Sequence, residues 1–589
     1  MVSSLRLGRL ALTSALVLST LPACAQDSAL QDDAPAAAAH ATLPDTQTAL
    51  NAELFYGLLT AELSASQGDT TTAIALLLDA ARELHSEPLY ERATEVALQG
   101  RSGQQALRTA QEWQTSFPHS RAANRFVLQI LLTLNRIAES QEPLAREVAW
   151  TPLASKPATY MAIAQLYTRA SDKKLAAAVV EQALQADLSN DALAPAAWAT
   201  IGHMRLQAQQ KDLALQALAQ AHAKAPRETA TALLALELFE LGAASAETML
   251  QDYMQHQPTP AVQLAYAQVL LSKNRLDDAQ AQLTQLLTET RDMPEAWLAQ
   301  ANLYAQQTQW KQAQQALQQV EPLLQSIPDE QQRNRALTPT YLLGARIALQ
   351  QKDYPHAMTL LGKITHSSDL LMVQSLKAHA LARQGKLAQG RALIRAVDGD
   401  NLDDNVRKRK AEVTLLRNNN APQEAYLLQR TLHEQFPEDV DLAYETAILA
   451  ESAGKTDVME KMLRSIMEQH PTYAHAFNAL GYSFADRGIH LIEAKQLIET
   501  ALALQPNDPL VLDSLGWVEF RQGNTAKALR ILEKAYAQRK DVEIAAHLGE
   551  VLWSSGNRVR ALEIWRQAAD IDADNPVLRK TLQRLQVQL

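Results

Sequence analysis

The sequence predicts an all-α superhelical solenoid of stacked antiparallel helix pairs. Three observations predict it. Ala, Leu and Gln, which lose little on entering a helix, recur throughout, while glycine (19) and proline (23) are scarce for 589 residues and aromatics are only 5%. An alanine returns at Ala214, Ala246, Ala279 and Ala313, gaps of 32, 33 and 34 residues. Around several of these alanines a large apolar residue, a Leu-Gly or Ile-Gly step, a second alanine and a closing proline stand together at constant spacing, which an Ala-rich chain does not produce by chance.

The unit is clearest over residues 195–226. Trp198, Ile201 and Gly202 take first-helix positions, Ala214, Leu218 and Ala221 second-helix positions, and Pro226 closes the unit. This is the tetratricopeptide-repeat (TPR) pattern of about 34 residues. Small residues at Gly202, Ala214 and Ala221 are expected to let the two helices approach, with Trp198 and Leu218 filling the remaining space. Pro226 stops the second helix because it cannot continue the hydrogen-bond ladder. One helix pair cannot bury its apolar face alone, so stacked neighbours must supply the missing core. The second-helix alanine also appears at Ala73, Ala106, Ala176, Ala357, Ala425, Ala494, Ala528 and Ala561. The pattern blurs near 121–150 and 371–420. The 44-residue gap from Ala313 to Ala357 implies a loop insertion.

The first 48 residues read as address and tether. Arg6 and Arg9 precede a short apolar stretch, Leu10 to Leu21, shorter than a membrane span needs. Cys24, the sole cysteine, follows in Leu21-Pro22-Ala23-Cys24. This resembles the lipobox of bacterial lipoproteins, in which the cysteine becomes the lipidated N-terminus. Ala23-Cys24-Ala25 also satisfies ordinary A-x-A cleavage, but a thiol used nowhere else favours lipidation. The absence of Asp after Cys24 resembles outer-membrane rather than inner-membrane sorting. Residues 25–48, with Asp27, Asp32, Asp33, Pro35 and an alanine run, have little to bury. The expected organisation is a signal peptide (1–23), lipidated Cys24 with a linker (24–48), an N-terminal array (49–320), a loop insertion (321–340), a C-terminal array (341–575) and a capping helix (576–589).

Charge and composition exclude several functions. Removing Arg6 and Arg9 with the signal takes the formal charge from −10 to −12, unsuited to general nucleic-acid binding. The basic run Arg407 to Lys410 reads as a solvated helix face. One cysteine permits neither an internal disulfide nor a multi-cysteine zinc site, and the 14 histidines form no ligand-like cluster. There is no HExxH. Gly454-Lys455-Thr456 lacks the first P-loop glycine, since Leu449 stands there. No catalytic residues, metal or cofactor are expected, and the chain reads as a protein binder rather than an enzyme.

First helices of TPR units line a concave face. In the last three units the exposed motif positions fall on His475, Asn478, Tyr482 and Ala485, then Leu510, Asp513, Trp517 and Phe520 with Arg521 beside them, then Glu543, Ala546, Glu550 and Trp553. Tyr482, Trp517, Phe520 and Trp553 are candidate protein-binding anchors, because aromatics near an arginine are the usual hot spots of interfaces. Asp513, Arg521, Glu543 and Glu550 would select orientation. Packing against a neighbouring repeat is the competing role for the aromatics.

Leu512-Asp513-Ser514-Leu515-Gly516-Trp517, Glu543 to Trp553 and Glu87-Pro88-Leu89-Tyr90-Glu91-Arg92-Ala93-Thr94, with the lipobox, resemble long TPR lipoproteins of Gram-negative proteobacteria. One member of that family partners a periplasmic carboxyl-terminal processing protease. The resemblance implies an adaptor on the periplasmic face of the outer membrane, lipid-anchored, that brings a PDZ-type processing protease to substrates such as peptidoglycan hydrolases. The alternatives are a structural scaffold or accessory of an outer-membrane assembly, export or secretion machine, and a soluble periplasmic location. Residues 120–420 show only generic repeat spacing, so partner identity carries over less than fold.

Overall fold

The computed structural model describes residues 52–256, 258–364, 370–399 and 401–589. Residues 1–48, with the expected signal, Cys24 and tether, lie outside the described residues. Every element among the described residues is helical, and they divide into two compact units at residues 307 and 308.

The first unit contains seven successive helix pairs, from Ala52–Ser66 with Thr70–Glu83 to Pro260–Ser272 with Leu276–Glu289, and ends in Pro294–Gln306. The second opens with Trp310–Leu324, continues through seven pairs to Val542–Ser554 with Arg558–Asp572, and closes with Pro576–Leu585. The chain is an all-α TPR solenoid.

The alanine period has a direct physical basis. Each of the second-helix alanines named above is 0% exposed. The site lies where the second helix crosses its partner, where a small side chain permits a close helix approach. Three units that the alanine pattern misses keep the register with Ser140, Gly390 and Met459. A Cβ on Gly390 would lie 2.7 Å from the Ala378 carbonyl oxygen, and Met459 is 0% exposed. In the irregular unit near 121–150, buried Ser140 occupies the position, its hydroxyl donating to the Ile137 carbonyl (2.7 Å) and sharing a hydrogen bond with the Tyr167 hydroxyl (2.7 Å).

A second periodic signal is conformational. At nearly every turn between the helices of a pair, one residue takes left-handed φ. Glycine fills this place at Gly454, Gly523 and Gly556, but Asn135, Gln209 and Lys352 fill it elsewhere, at φ 57°, 58° and 62°. A non-glycine residue there costs local strain, which the flanking helices offset.

One expectation is corrected and another is extended. Residues 321–340 are not a loop insertion. The helix Trp310–Leu324 runs into this stretch, and the helix Glu330–Gln350, 21 residues long, takes up most of it. Asp329 caps that helix by accepting from the Gln332 N–H (2.6 Å). At Gly202 the nearest approach is across repeats. A Cβ there would collide with Leu234 of the next first helix, so the glycine admits the neighbouring repeat. By contrast, Gly516 meets its own partner helix at Leu532 Cγ (2.6 Å), and Gly481 meets Ile498 (2.7 Å) and the Ala494 carbonyl (2.8 Å). Trp565 is fully buried, whereas Trp198 and Trp297 are half-buried against the core.

Among the described residues, the fully buried carboxylates are paired. Glu412 accepts from Arg391 (2.7 Å) and Arg395 (2.6 Å). Glu519, 0% exposed, accepts from Lys527 (2.6 Å), Lys495 (2.9 Å) and Asn524 (2.7 Å). Burial pushes both carboxyls up, but these cations and donors outweigh it and hold both below the usual range.

Candidate functional site in the C-terminal repeats

Three successive first helices, Ala474–Arg487, Pro509–Arg521 and Val542–Ser554, carry the expected groove residues. Their starts are defined locally. Asp508 accepts from the Leu510 (2.8 Å) and Val511 (3.2 Å) N–H groups, with Pro509 in the first turn, and Asp541 accepts from the Glu543 N–H (2.9 Å).

His547 binds these helices together. Its Nδ1 donates to the Asp513 carboxylate at 2.9 Å, and its Nε2 lies 3.3 Å from the Tyr482 hydroxyl. Its ring stacks on Trp517 with centroids 4.3 Å apart at 23°. Burial opposes a charge on His547, yet the Asp513 carboxylate, helped by Glu543 and Asp486, outweighs burial and raises the imidazole pKa. Burial also pushes the Asp513 carboxyl up against the pull of His547. Burial, then the carboxylates of Asp486, Asp513 and Glu543, raise the Tyr482 phenol well above its ordinary value.

The structure places the expected anchors unequally. Trp517 is 3% exposed, so it supports the groove instead of offering a contact face. Asp513 and Glu550 are buried and already ion-paired, to His547 and Arg584. Arg521 is tied down as well, donating to the Asp486 carbonyl at 2.6 Å and lying over the Trp517 ring. Tyr482, Phe520 and Trp553 are half-buried. Trp553 packs on Trp565 with centroids 5.7 Å apart, and Arg558 lies over its ring at 4.8 Å. Among the groove positions, Ala485 and Ala546 are fully buried and His475 is exposed. Asn478 Oδ1 and Trp517 Nε1 are buried with no hydrogen-bond partner among the described residues, leaving one acceptor and one donor unmet.

The terminal helix Pro576–Leu585 explains why these charges are satisfied. Asn575 caps it, accepting from the Val577 (2.9 Å) and Leu578 (3.1 Å) N–H groups. Its Arg584 pairs with Glu550, and its Lys580 lies 3.4 Å from Asp486. The helix therefore spans from the third groove helix back to the first. Sequence reasoning missed His547, Asp486, Lys580 and Arg584. Their partners stand 34 to 94 residues away, and only the conspicuous Ala-Ala-His-Leu-Gly of the third unit hinted at one of them.

No group of His, Cys, Asp or Glu among the described residues is arranged to hold a metal, and no described helix is long and apolar enough to cross a membrane. The fold and the helix-lined groove define a TPR-repeat protein, a class of generally non-catalytic scaffolds that bind other proteins. The chain is 32% identical over 240 residues to the TPR repeat-containing protein PA4667 of Pseudomonas aeruginosa, covering 41% of each chain. It is 33% identical over 90 residues to tetratricopeptide repeat protein 7A of Homo sapiens, covering 15% of this chain and 10% of that one. The chain thus spans less than half the length of either relative. Among solved structures, the APC/C hetero-tetramer Cut9-Hcn1 aligns over 91% of this chain and 96% of its own at 13% identity, with a TM-score of 0.32. No family model matches the sequence.

Proposed function

We propose that this protein is a non-catalytic scaffold of the bacterial cell envelope that brings a PDZ-type carboxyl-terminal processing protease to its substrates, among them peptidoglycan hydrolases. The observation that carries the reading is the rigid wall formed by the last three repeats. Buried His547, Asp513 and Trp517 fix its geometry, and half-buried Tyr482, Phe520 and Trp553 are its accessible aromatics. A surface ordered before binding loses little entropy on docking. The lipobox at Leu21 to Cys24 and the family-like wording of residues 512–517 and 543–553 support the envelope setting and the protease partner.

The test is reconstitution. The purified chain should show no turnover alone, should bind a purified PDZ-type processing protease, and should accelerate its cleavage of a peptidoglycan hydrolase. Co-purification from envelope extracts with barrel-assembly or export components, and not with the protease, would overturn the adaptor reading. The anchor is tested separately. Cys24→Ala should release the protein into the soluble periplasm, and a wild-type protein whose Cys24 is unmodified by mass spectrometry would refute lipidation.

A further inference from the structure

The basic run of residues 407–410 lies on the helix Leu402–Asn418, beside Leu370–Arg383 and near Glu330–Gln350. Between the first two, Leu371, Met372, Ser375, Arg407, Lys410 and Ala411 line an open recess of about 300 Å³. From the third, Arg346 reaches the same place, its Nη2 lying 3.6 Å from the Met372 sulfur.

Arg346 is half-buried, and it makes no ion pair among the described residues. Burial alone lowers its pKa. A guanidinium carries five donors and stays charged. One thioether, a weak acceptor, is poor recompense for its lost hydration, and buried charges are ordinarily paired. Lys410 is exposed, and it too has no ion pair among the described residues. Two acids of the described neighbouring helices have other partners. Leu370–Arg383 has no acidic residue. On Leu402–Asn418, Glu412 is held by Arg391 and Arg395, and Asp404 lies 3.7 Å from Arg407. The recess thus sets two cations, Arg346 and Lys410, that make no ion pair among the described residues beside an apolar lining, inside a chain of net charge −10. That overall charge repels long polyanions, so a local anionic peptide fits better than a nucleic acid.

We propose that this recess is a second docking site, which takes an extended acidic segment of a partner protein. An apolar side chain enters between Leu371, Met372 and Ala411, and flanking carboxylates take Arg346 and Lys410. This rests on the protein-binding reading above and adds the chemistry of one ligand.

The test uses the full chain and a dye-labelled, amidated peptide, Gly-Glu-Glu-Leu-Glu-Glu-Gly, followed by fluorescence anisotropy at low and high salt. Wild type should bind it, more weakly as salt rises. Arg346→Gln and Lys410→Gln should each weaken binding roughly tenfold or more, as expected for a lost charge-assisted hydrogen bond. Peptides with Gln for Glu, or Ala for Leu, should bind poorly. Arg346→Gln should also keep or raise the Tm, because it removes an uncompensated half-buried charge, whereas a packing role would lower it. Lys410→Gln, on an exposed side chain, keeps the test independent of folding. Absence of wild-type binding, equal binding by the Arg346→Gln/Lys410→Gln double variant, or tighter binding of an oligothymidine than of the peptide would each overturn the proposal. If the double variant binds the peptide poorly yet wild type binds no protease, the recess stands and the protease reading falls. If wild type binds protease but not peptide, the reverse holds.

Discussion

Replacing Trp517 by Ala separates support from contact. The indole is 3% exposed, stacked on His547 at 4.3 Å and tilted against Phe520 at 5.5 Å. A buried indole removes roughly 200 Å² from water, which at about 25 cal/mol per Å² is on the order of 5 kcal/mol. Partial collapse around the new alanine returns some of this, and truncations of buried tryptophan cost about 3–5 kcal/mol in practice. The loss should be local, because each repeat touches only its neighbours. Hydrogen exchange should accelerate through residues 474–585 and stay unchanged in residues 52–307, and the chain's unfolding should begin at a lower temperature. The same substitution also opens the Asp513–His547 pair to water, so the raised pKa of His547 should fall toward its ordinary value, readable by NMR titration. Wild-type protection across 474–585 in the variant would refute the supporting role and return Trp517 to the set of partner contacts.

Gly516→Leu should destabilise the same region by about 1–3 kcal/mol or more, since even a Cβ there would lie 2.6 Å from Leu532. Gly523→Ala provides the contrast. It has open space around it but φ of 88°, so its cost, on the order of 1 kcal/mol, comes from backbone strain; equal exchange patterns in the two variants would contradict this. Acid should weaken the C-terminal unit. Glu412 and Glu519 are depressed in the folded state, so their contribution is present above the unfolded value of about 4.3 and is lost as pH falls through the folded values. Glu412→Gln should flatten the pH dependence of unfolding in that window, and an unchanged slope would argue against the pairing with Arg391 and Arg395. His547, raised in the fold, acts with the opposite sign. Its contribution is complete below about 6.5 and is lost as pH rises through its folded value.

By itself the sequence determined the repeat and most of its register. Alanines at the helix crossings, Leu-Gly steps and closing prolines each answer to a steric limit that acts within about 34 residues, so local spacing suffices to read them. Three crossings escaped because Ser140, Gly390 and Met459 stand there in place of alanine. The span 321–340 escaped because a longer gap says that residues were added, and does not say that they extend a helix. Motif position likewise places Trp517 and Glu550 on the groove face. Whether a groove residue meets solvent depends on what returns to cover it. Here His547 and the terminal helix return, with partners as far apart as Lys580 and Asp486, and they turn expected contacts into buried supports. Only the tertiary structure decided this, because burial and charge neutralisation are sums over neighbours that no local spacing encodes. For the same reason a basic run that looks like ordinary solvated charge proves to border a recess where Arg346, from a helix more than fifty residues earlier, meets no carboxylate among the described residues.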